Sequence, residues 1–174
     1  MKIAFITLIS IVVLVTILFV PRIYKDIVKK RGFENSYAIQ NVAFGRDLRI
    51  YNAKIDNGAQ LVVYSHHNWE CMTWQMIEVS DNTFLLKNLY TQKSFQPETQ
   101  PVPNTALQQQ TLGGSHLQHW EFLPEIDKTY SIKLKDTDLY LTVISNTNNA
   151  VVVLMPKMDT NNQLWRLIRQ NPII

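Results

Sequence analysis

After residue 32 the chain consists of short hydrophobic runs separated by polar turn residues, and one such run recurs around three tryptophans. These tryptophans are 46 and 45 residues apart: Trp74, Trp120 and Trp165. An aromatic residue opens each of the three units: Tyr37, Phe84 and Tyr130. Short runs of this kind between turns are typical of strands, and a fixed period of this length indicates one unit used several times. The pattern therefore predicts three repeated units built from β-strands.

Each unit also carries a turn signal sixteen residues before its tryptophan. Glycine or asparagine stands at this position: Gly58, Asn104 and Asn149. Both residue types reach positive φ at low cost, so we expect a left-handed turn in each unit. Residues 61–64, 139–143 and 151–154 are rich in β-branched and aromatic side chains, which favours strands. Many short strands without intervening helices predict an all-β fold, and the threefold period favours a closed, pseudo-threefold arrangement.

A proline-rich stretch interrupts the second unit, from Gln96 and Pro97 to Pro103. Three prolines within seven residues are incompatible with the interior of a sheet, because proline donates no ladder hydrogen bond. We therefore expect this stretch to be an exposed, extended loop.

The N-terminal segment has a different composition. Residues 3–20 are apolar except for Thr7, Ser10 and Thr16, and as a helix they would span roughly 27 Å of a hydrocarbon core of about 30 Å. Residues 1–32 are therefore predicted to be a transmembrane anchor with a basic juxtamembrane segment, whose partner is the lipid bilayer, and residues 33–174 a separate β domain. The alternative is a cleaved signal peptide, although residues 19–22 lack its small-residue cleavage pattern.

The charge distribution supports this division. Residues 1–32 hold six of the 17 Lys and Arg residues and only one of the 14 Asp and Glu residues, so the remainder of the chain is slightly acidic. An acidic domain has no electrostatic footprint for nucleic acid, and we expect no such partner. The basic flank favours a cytoplasmic location for the β domain, whereas the short N-terminal tail favours export. We predict a single-pass membrane protein and leave open which side the domain occupies.

The three units resemble the repeats of ricin-type β-trefoil domains, the QxW lectin-like family. Gln118-His119-Trp120 and Gln163-Leu164-Trp165 keep the signature, and Met72 replaces its glutamine in the first unit. The resemblance covers residues 34–170. It implies a β-trefoil of three repeats of about 45 residues, a fold that the family commonly uses to bind sugars.

The resemblance also points to candidate site positions. A sugar-binding repeat of the family has an aspartate after the leucine of its second strand and a stacking aromatic ring upstream of its tryptophan. The aspartate positions align here with Arg49, Gln96 and Thr142, and the ring positions with Tyr64, Gln110 and Met155. Because arginine only donates hydrogen bonds, the first unit should prefer an acidic sugar, a phosphate or sulfate group, or a partner's carboxylate.

The candidate ligand-binding residues are Arg49, Tyr64, His67 and Asn68. The last two stand in the stretch before Trp74 and are expected to add contacts. The alternative is that Arg49 is a solvated surface residue and Tyr64 merely packs.

Residues for catalysis or metal binding are sparse. His66 and His67 are adjacent, so on a strand they would point to opposite faces, and with Cys71 nearby a fourth zinc ligand is not evident. The single cysteine excludes an intrachain disulfide. No phosphate-binding loop, HExxH motif or nucleophile elbow is present. We therefore predict no catalytic residue, no cofactor and no metal.

These observations favour a non-enzymatic, membrane-anchored lectin-like module that recognises a glycan or glycoconjugate. The alternative is a protein–protein interaction subunit of a membrane or envelope complex, an immunity-type or assembly component that uses the trefoil as a scaffold. The loss of the aspartates favours the second function, and the ring at Tyr64 favours the first.

Overall fold

The computed structural model of the chain describes residues 33–172. The predicted anchor at residues 3–20, with its signal-peptide alternative, lies outside the described residues. Within the described range, no helix is long and apolar enough to cross a membrane. Residues Asn35–Ile174 form a compact unit of their own.

The part of the chain from residue 33 to residue 172 forms twelve strands, connected by turns and short 3-10 segments. They are β1 (Ser36–Asn41), β2 (Arg46–Ile50), β3 (Leu61–Ser65), β4 (Trp74–Ser80), β5 (Thr83–Asn88), β6 (Ser94–Pro97), β7 (Leu107–Gln110), β8 (Trp120–Pro124), β9 (Thr129–Leu134), β10 (Tyr140–Val143), β11 (Ala150–Met155) and β12 (Leu164–Arg169).

Six of these strands close into a barrel. β1 pairs with β4, β4 with β5, β5 with β8, β8 with β9, β9 with β12, and β12 with β1, all antiparallel. Because the barrel is closed, each of its six strands has a paired neighbour on both sides and none is an exposed edge. The other six strands form the hairpins β2–β3, β6–β7 and β10–β11, which connect successive barrel strands at one end. The predicted all-β, three-unit β-trefoil is confirmed.

The three hairpins contact one another in a ring at their end of the barrel. The turn residues that were expected to have positive φ do so, at 84°, 71° and 65° for Gly58, Asn104 and Asn149. Each of them donates its backbone amide to the next hairpin around the ring: Gly58 to Gln109 (2.8 Å), Asn104 to Leu154 (2.7 Å) and Asn149 to Val63 (2.8 Å). The repeated turn signal therefore fixes contacts between units as well as the turn within each unit.

The repeated tryptophans lie in the core. Trp74, Trp120 and Trp165 are all fully buried. The indole nitrogen of Trp74 donates to the Leu48 carbonyl at 2.9 Å, and that of Trp165 donates to the Leu141 carbonyl at 3.1 Å. The indole nitrogen of Trp120 has no acceptor among the described residues.

The expectation for the proline-rich stretch was partly wrong. Gln96 and Pro97 belong to β6, where they pair with Gln108 and Leu107. Proline is tolerated there because it is the last residue of a strand in a two-stranded ribbon. The loop itself covers residues 98–106, most of which are exposed, as expected.

Candidate functional site

The outer face of the first hairpin, β2–β3, carries two of the four candidate residues. Cross-strand partners share a face, and Asp47 pairs with Tyr64 while Arg49 pairs with Val62. Leu48, between Asp47 and Arg49, points into the core. Alternation along β2 therefore places Asp47 and Arg49 on the same outer face as Tyr64.

Arg49 is buried beneath this face. Its guanidinium carbon lies 4.1 Å from the centre of the Tyr64 ring, and only 7% of the residue is exposed. One terminal nitrogen donates to Asn52 Oδ1 at the long distance of 3.5 Å, and the buried Nε has no acceptor among the described residues. The alternative that Arg49 is a solvated surface residue therefore does not hold. A buried guanidinium with so few partners gains free energy from any acceptor that reaches it.

His67 continues the aromatic surface that begins at Tyr64. Its ring stacks on Trp69 with centroids 4.1 Å apart and planes at 8°, and it lies 6.1 Å from the Tyr64 ring. We call Tyr64, His67 and Trp69 the aromatic row. The structure thus brings Arg49, Tyr64 and His67 together, and it adds Trp69, which sequence reasoning did not select.

Asn68 does not belong to the aromatic row but hydrogen-bonds to a residue near the end of the described range. Its side-chain amide donates to the Asn171 carbonyl at 2.9 Å, and Gln170 Nε2 donates to the His67 carbonyl at 3.4 Å. These contacts hold the loop of the aromatic row against the end of the chain. Asn68 is exposed beside the row but does not extend it.

Asp47 is the charged residue of this face that sequence reasoning missed. The side chain is fully buried, accepts a hydrogen bond from Gln40 Nε2 at 3.0 Å, and lies 2.6 Å from His66 Nδ1. Burial raises the pKa of the Asp47 carboxyl, and the Gln40 hydrogen bond and the charge of His66 oppose the shift only in part. The signal was available in the alternation of β2, because residues 47 and 49 must share a face.

An apolar cleft lies near Arg49. Ala53, Trp69, Cys71 and Tyr90 line a volume of about 310 Å³. Trp69 and Tyr90 are 37% and 49% exposed. Burial raises the pKa of the Cys71 thiol, and the charge of Arg49 partly opposes this shift. The lining residue Ala53 directly follows Asn52, whose Oδ1 accepts the hydrogen bond from Arg49.

The second and third units show how the first unit differs. The signature glutamine donates to the residue at the aligned aspartate position in both: Gln118 Nε2 to Gln96 Oε1 at 3.1 Å, and Gln163 Nε2 to Thr142 Oγ1 at 2.9 Å. The same glutamines accept from the backbone of their own turns. Met72 takes the glutamine position in the first unit; it is fully buried, has no donor, and its sulfur is only a weak acceptor. Arg49 is therefore the one aligned position with no glutamine partner.

The histidines do not gather around a metal site in the described residues, where no group of three or more potential ligands forms. Both His66 and His67 lie beyond the end of β3, so the argument from strand faces does not apply to them. They separate nonetheless, since His66 contacts Asp47 and His67 contacts Trp69.

Comparison with known proteins identifies the fold. No family model matches the chain, and no curated protein sequence matches it. Among solved structures, the designed threefold-symmetric protein ThreeFoil has a TM-score of 0.74 and 22% identity, and the match covers 77% of this chain and 98% of that one.

Two natural lectins are also similar. The ricin B-like lectin of Macrolepiota procera, solved with lactose, has a TM-score of 0.68 at 16% identity, over 77% of this chain and 94% of that one. The C-half of the earthworm R-type lectin, solved with GalNAc, has a TM-score of 0.62 at 12% identity, over 78% and 99%. These likenesses establish the ricin-type β-trefoil fold, as the sequence resemblance implied.

Proposed function

We propose that this chain, whose fold is the ricin-type β-trefoil, is a non-enzymatic lectin-like module that recognises a glycan or glycoconjugate through the outer face of its first hairpin. Two similar structures are lectins solved with lactose and with GalNAc, which supports the ligand class. The observation that carries the proposal is the buried, under-partnered guanidinium of Arg49 beneath the Tyr64 ring.

The chemistry of this face favours an acidic glycan. Arg49 only donates hydrogen bonds, and its planar fork fits a carboxylate, sulfate or phosphate group. Tyr64 is half-buried, so part of its ring is open to stack against a sugar ring. His67 and Trp69 extend the stacking surface away from the charge.

A membrane anchor at residues 3–20 belongs to the same proposal, supported by the apolar run and the basic residues that follow it. Full-length protein should stay in the membrane fraction after carbonate washing and migrate at the uncut mass of 20.2 kDa. A soluble product that begins between residues 20 and 30 would contradict the anchor. Protease protection in sealed membranes determines which side the β-trefoil occupies.

The glycan proposal is tested on the full chain in a polyoxyethylene detergent, which carries neither sugar nor charge. An array identifies ligands, and each acidic hit is paired with its neutral analogue, for example galacturonic acid with galactose. Arg49→Ala should weaken binding of the acidic member by roughly ten- to a hundredfold, the value of a hydrogen bond to a charged group. Tyr64→Ala should weaken both members.

The third unit supplies matched controls. Lys157 lies 5.2 Å from the centre of the Tyr140 ring, so this pair repeats the cation–ring contact away from the first hairpin. Lys157→Ala and Tyr140→Ala should bind like wild type. If Arg49→Ala and Tyr64→Ala fold and bind acidic glycans like wild type, the site lies elsewhere, and the loop at residues 98–106 is the next place to search.

A protein partner is the second candidate function, and the exposure of Trp69 and Tyr90 around the apolar cleft favours it. Such a partner would present an Asp or Glu to Arg49 and an apolar side chain to the cleft. An empty glycan array, together with binding of an acidic-aromatic peptide that Arg49→Ala abolishes, would replace the lectin function with this one.

A further inference from the structure

A separate cavity lies at the end of the barrel opposite the hairpins. The first hairpin, for example, connects the end of β1 to the start of β4. This cavity lies at the other end of these strands, at the start of β1, the end of β4 and the start of β5. Its volume is about 320 Å³. None of the residues that line it belongs to the candidate site of Arg49, Tyr64, His67 and Trp69, which we call the first-hairpin site.

The walls of this cavity are repeat positions. The three aromatics that open the units, Tyr37, Phe84 and Tyr130, line it together with the second residue after each repeated tryptophan, which is Met76, Phe122 or Leu167. Closure of the barrel brings these six positions around one axis. We call this cavity the barrel-mouth pocket.

The rings in the pocket are arranged edge to face. Phe84 and Phe122 have centroids 5.4 Å apart with planes at 86°, and Phe122 and Tyr130 are 5.8 Å apart at 66°. Phe122 is buried, whereas Phe84, Tyr130 and Tyr37 are only half-buried and leave ring surface toward the pocket. Aromatic faces carry the negative part of the ring quadrupole and attract cations.

One polar residue at the rim, Glu78, carries the charge that a cation requires. Glu78 is exposed and takes part in none of the ion pairs found among residues 33–172. Asn35 and Asn82 complete the rim, held by backbone carbonyls that accept from Met76 at 2.9 Å and from Phe122 at 2.8 Å. Among residues 33–172, no Lys, Arg or His side chain lines the pocket.

We propose that the barrel-mouth pocket binds a small organic cation, an alkylammonium or quaternary ammonium group. The rings surround the cationic head, and Glu78 supplies the opposite charge. The volume lies at the lower end of the range for small-molecule sites. The first-hairpin site, built around Arg49, selects negative charge, so the two sites take ligands of opposite sign and the inference does not rest on the glycan function.

The test uses choline as the probe, with the full chain in the polyoxyethylene detergent. Saturation-transfer NMR should show the choline methyl protons in contact with protein, and titration gives an affinity. The uncharged carbon analogue 3,3-dimethylbutanol should bind at least about threefold more weakly, since a partly desolvated cation–ring contact is worth this much or more. Equal affinity for the two would overturn the cation site.

Two variants locate the site. Glu78→Gln removes the rim charge at an exposed position, and Phe84→Leu removes a ring while keeping apolar volume; each should weaken choline binding about threefold or more. Glu98→Gln, an exposed carboxylate in the loop after β6, is the matched control and should bind like wild type. If Glu78→Gln folds and binds choline unchanged, the proposal fails.

The ammonium group could belong to a free metabolite or to a phospholipid headgroup. Glycerophosphocholine presents the headgroup without acyl chains, and tighter binding than choline assigns the pocket to lipid. Tighter binding of choline assigns it to a free cation. Absence of binding for both at about 10 mM, where the corresponding free energy would be under 3 kcal/mol, overturns the proposal.

Discussion

The guanidinium carbon of Arg49 lies 4.1 Å from the centre of the Tyr64 ring, on the outer face of a hairpin whose other face is core. The contact replaces the hydrogen bond that the signature glutamine makes at the same position in the other two units. In the first unit, Met72 stands where the other two units have the signature glutamine. A buried arginine packed against a ring stands where they have an acceptor for that glutamine. Because that charge has few partners in the described part of the chain, the first unit is where a ligand is expected to gain most from a hydrogen bond to the protein.

The glutamine network itself should be a large contributor to stability. Gln163 donates to Thr142 Oγ1 and to the Pro156 carbonyl, and it accepts from the Met158 amide at 2.7 Å. Gln163→Met keeps the volume but leaves these buried groups unpaired, so unfolding free energy should fall by about 2–3 kcal/mol. Denaturant unfolding followed by circular dichroism measures the change. Gln110→Met, at a half-buried position, is the matched control and should cost under about 0.5 kcal/mol.

The repeated tryptophans should not be equivalent. Trp120→Ala and Trp165→Ala should each lower unfolding free energy by about 3–5 kcal/mol, since both residues are fully buried. Phenylalanine substitutions separate packing from hydrogen bonding. Trp165→Phe removes the indole donor to the Leu141 carbonyl, whereas Trp120→Phe removes an indole N–H that has no acceptor among residues 33–172. We therefore expect Trp165→Phe to cost about 1 kcal/mol more than Trp120→Phe. Equal losses would contradict the hydrogen-bond assignment.

The repeat pattern was sufficient to predict the fold because the determinants of this fold recur. The period located the tryptophans, and the residue types at Gly58, Asn104 and Asn149 predicted the positive φ that the structure shows. Pro97 was assigned to a loop because its partner strand could not be foreseen. A two-stranded ribbon tolerates a terminal proline that a central strand would not.

The candidate site was only partly predictable, for a physical reason. Alignment to the repeat identified Arg49 and Tyr64, whose positions are set by strand register. His67 and Trp69 lie in the loop after β3, where no period fixes direction, so their stacking followed only from the structure. Asp47 was overlooked because the family pattern directs attention to the residue after Leu48, although alternation puts residue 47 on the same face.

Asp47 should give the domain an unusual pH dependence. Because burial raises the pKa of its carboxyl, the folded state binds a proton more tightly than the unfolded state. Between the ordinary carboxyl pKa and the raised one, the folded state holds more protons, so stability falls as pH rises through this window. Compared with Asp47→Asn, wild type should gain unfolding free energy as pH is lowered through that window, with His66 reducing the size of the effect. A wild type that loses stability relative to Asp47→Asn on acidification would reverse the sign and contradict the assignment. Thermal unfolding of both proteins between about pH 3 and pH 7 makes the comparison.

Cys71 offers a direct report on the proposed glycan site, because it is the only cysteine in the chain and it lines the cleft beside Arg49. Iodoacetamide reacts with the thiolate, and burial raises the pKa of this thiol, so native protein should be alkylated more slowly than unfolded protein at neutral pH. If the proposed acidic glycan also covers the cleft, a saturating concentration should slow alkylation further, by about tenfold or more when the protein reacts only from the free state and ligand is at ten times its dissociation constant.

The arginine tests the same arrangement without any ligand. Arg49→Met removes a charge that favours the thiolate while keeping a long, unbranched side chain at this position. The thiol pKa should rise, and alkylation at neutral pH should slow, whereas at high pH, where both thiols are ionised, the two proteins should react alike. Mass spectrometry of the labelled chain follows both experiments. If an acidic glycan that binds with the expected Arg49 dependence leaves the alkylation rate unchanged, the ligand contacts Arg49 without entering the cleft, and Trp69 and Tyr90 are left for a different partner.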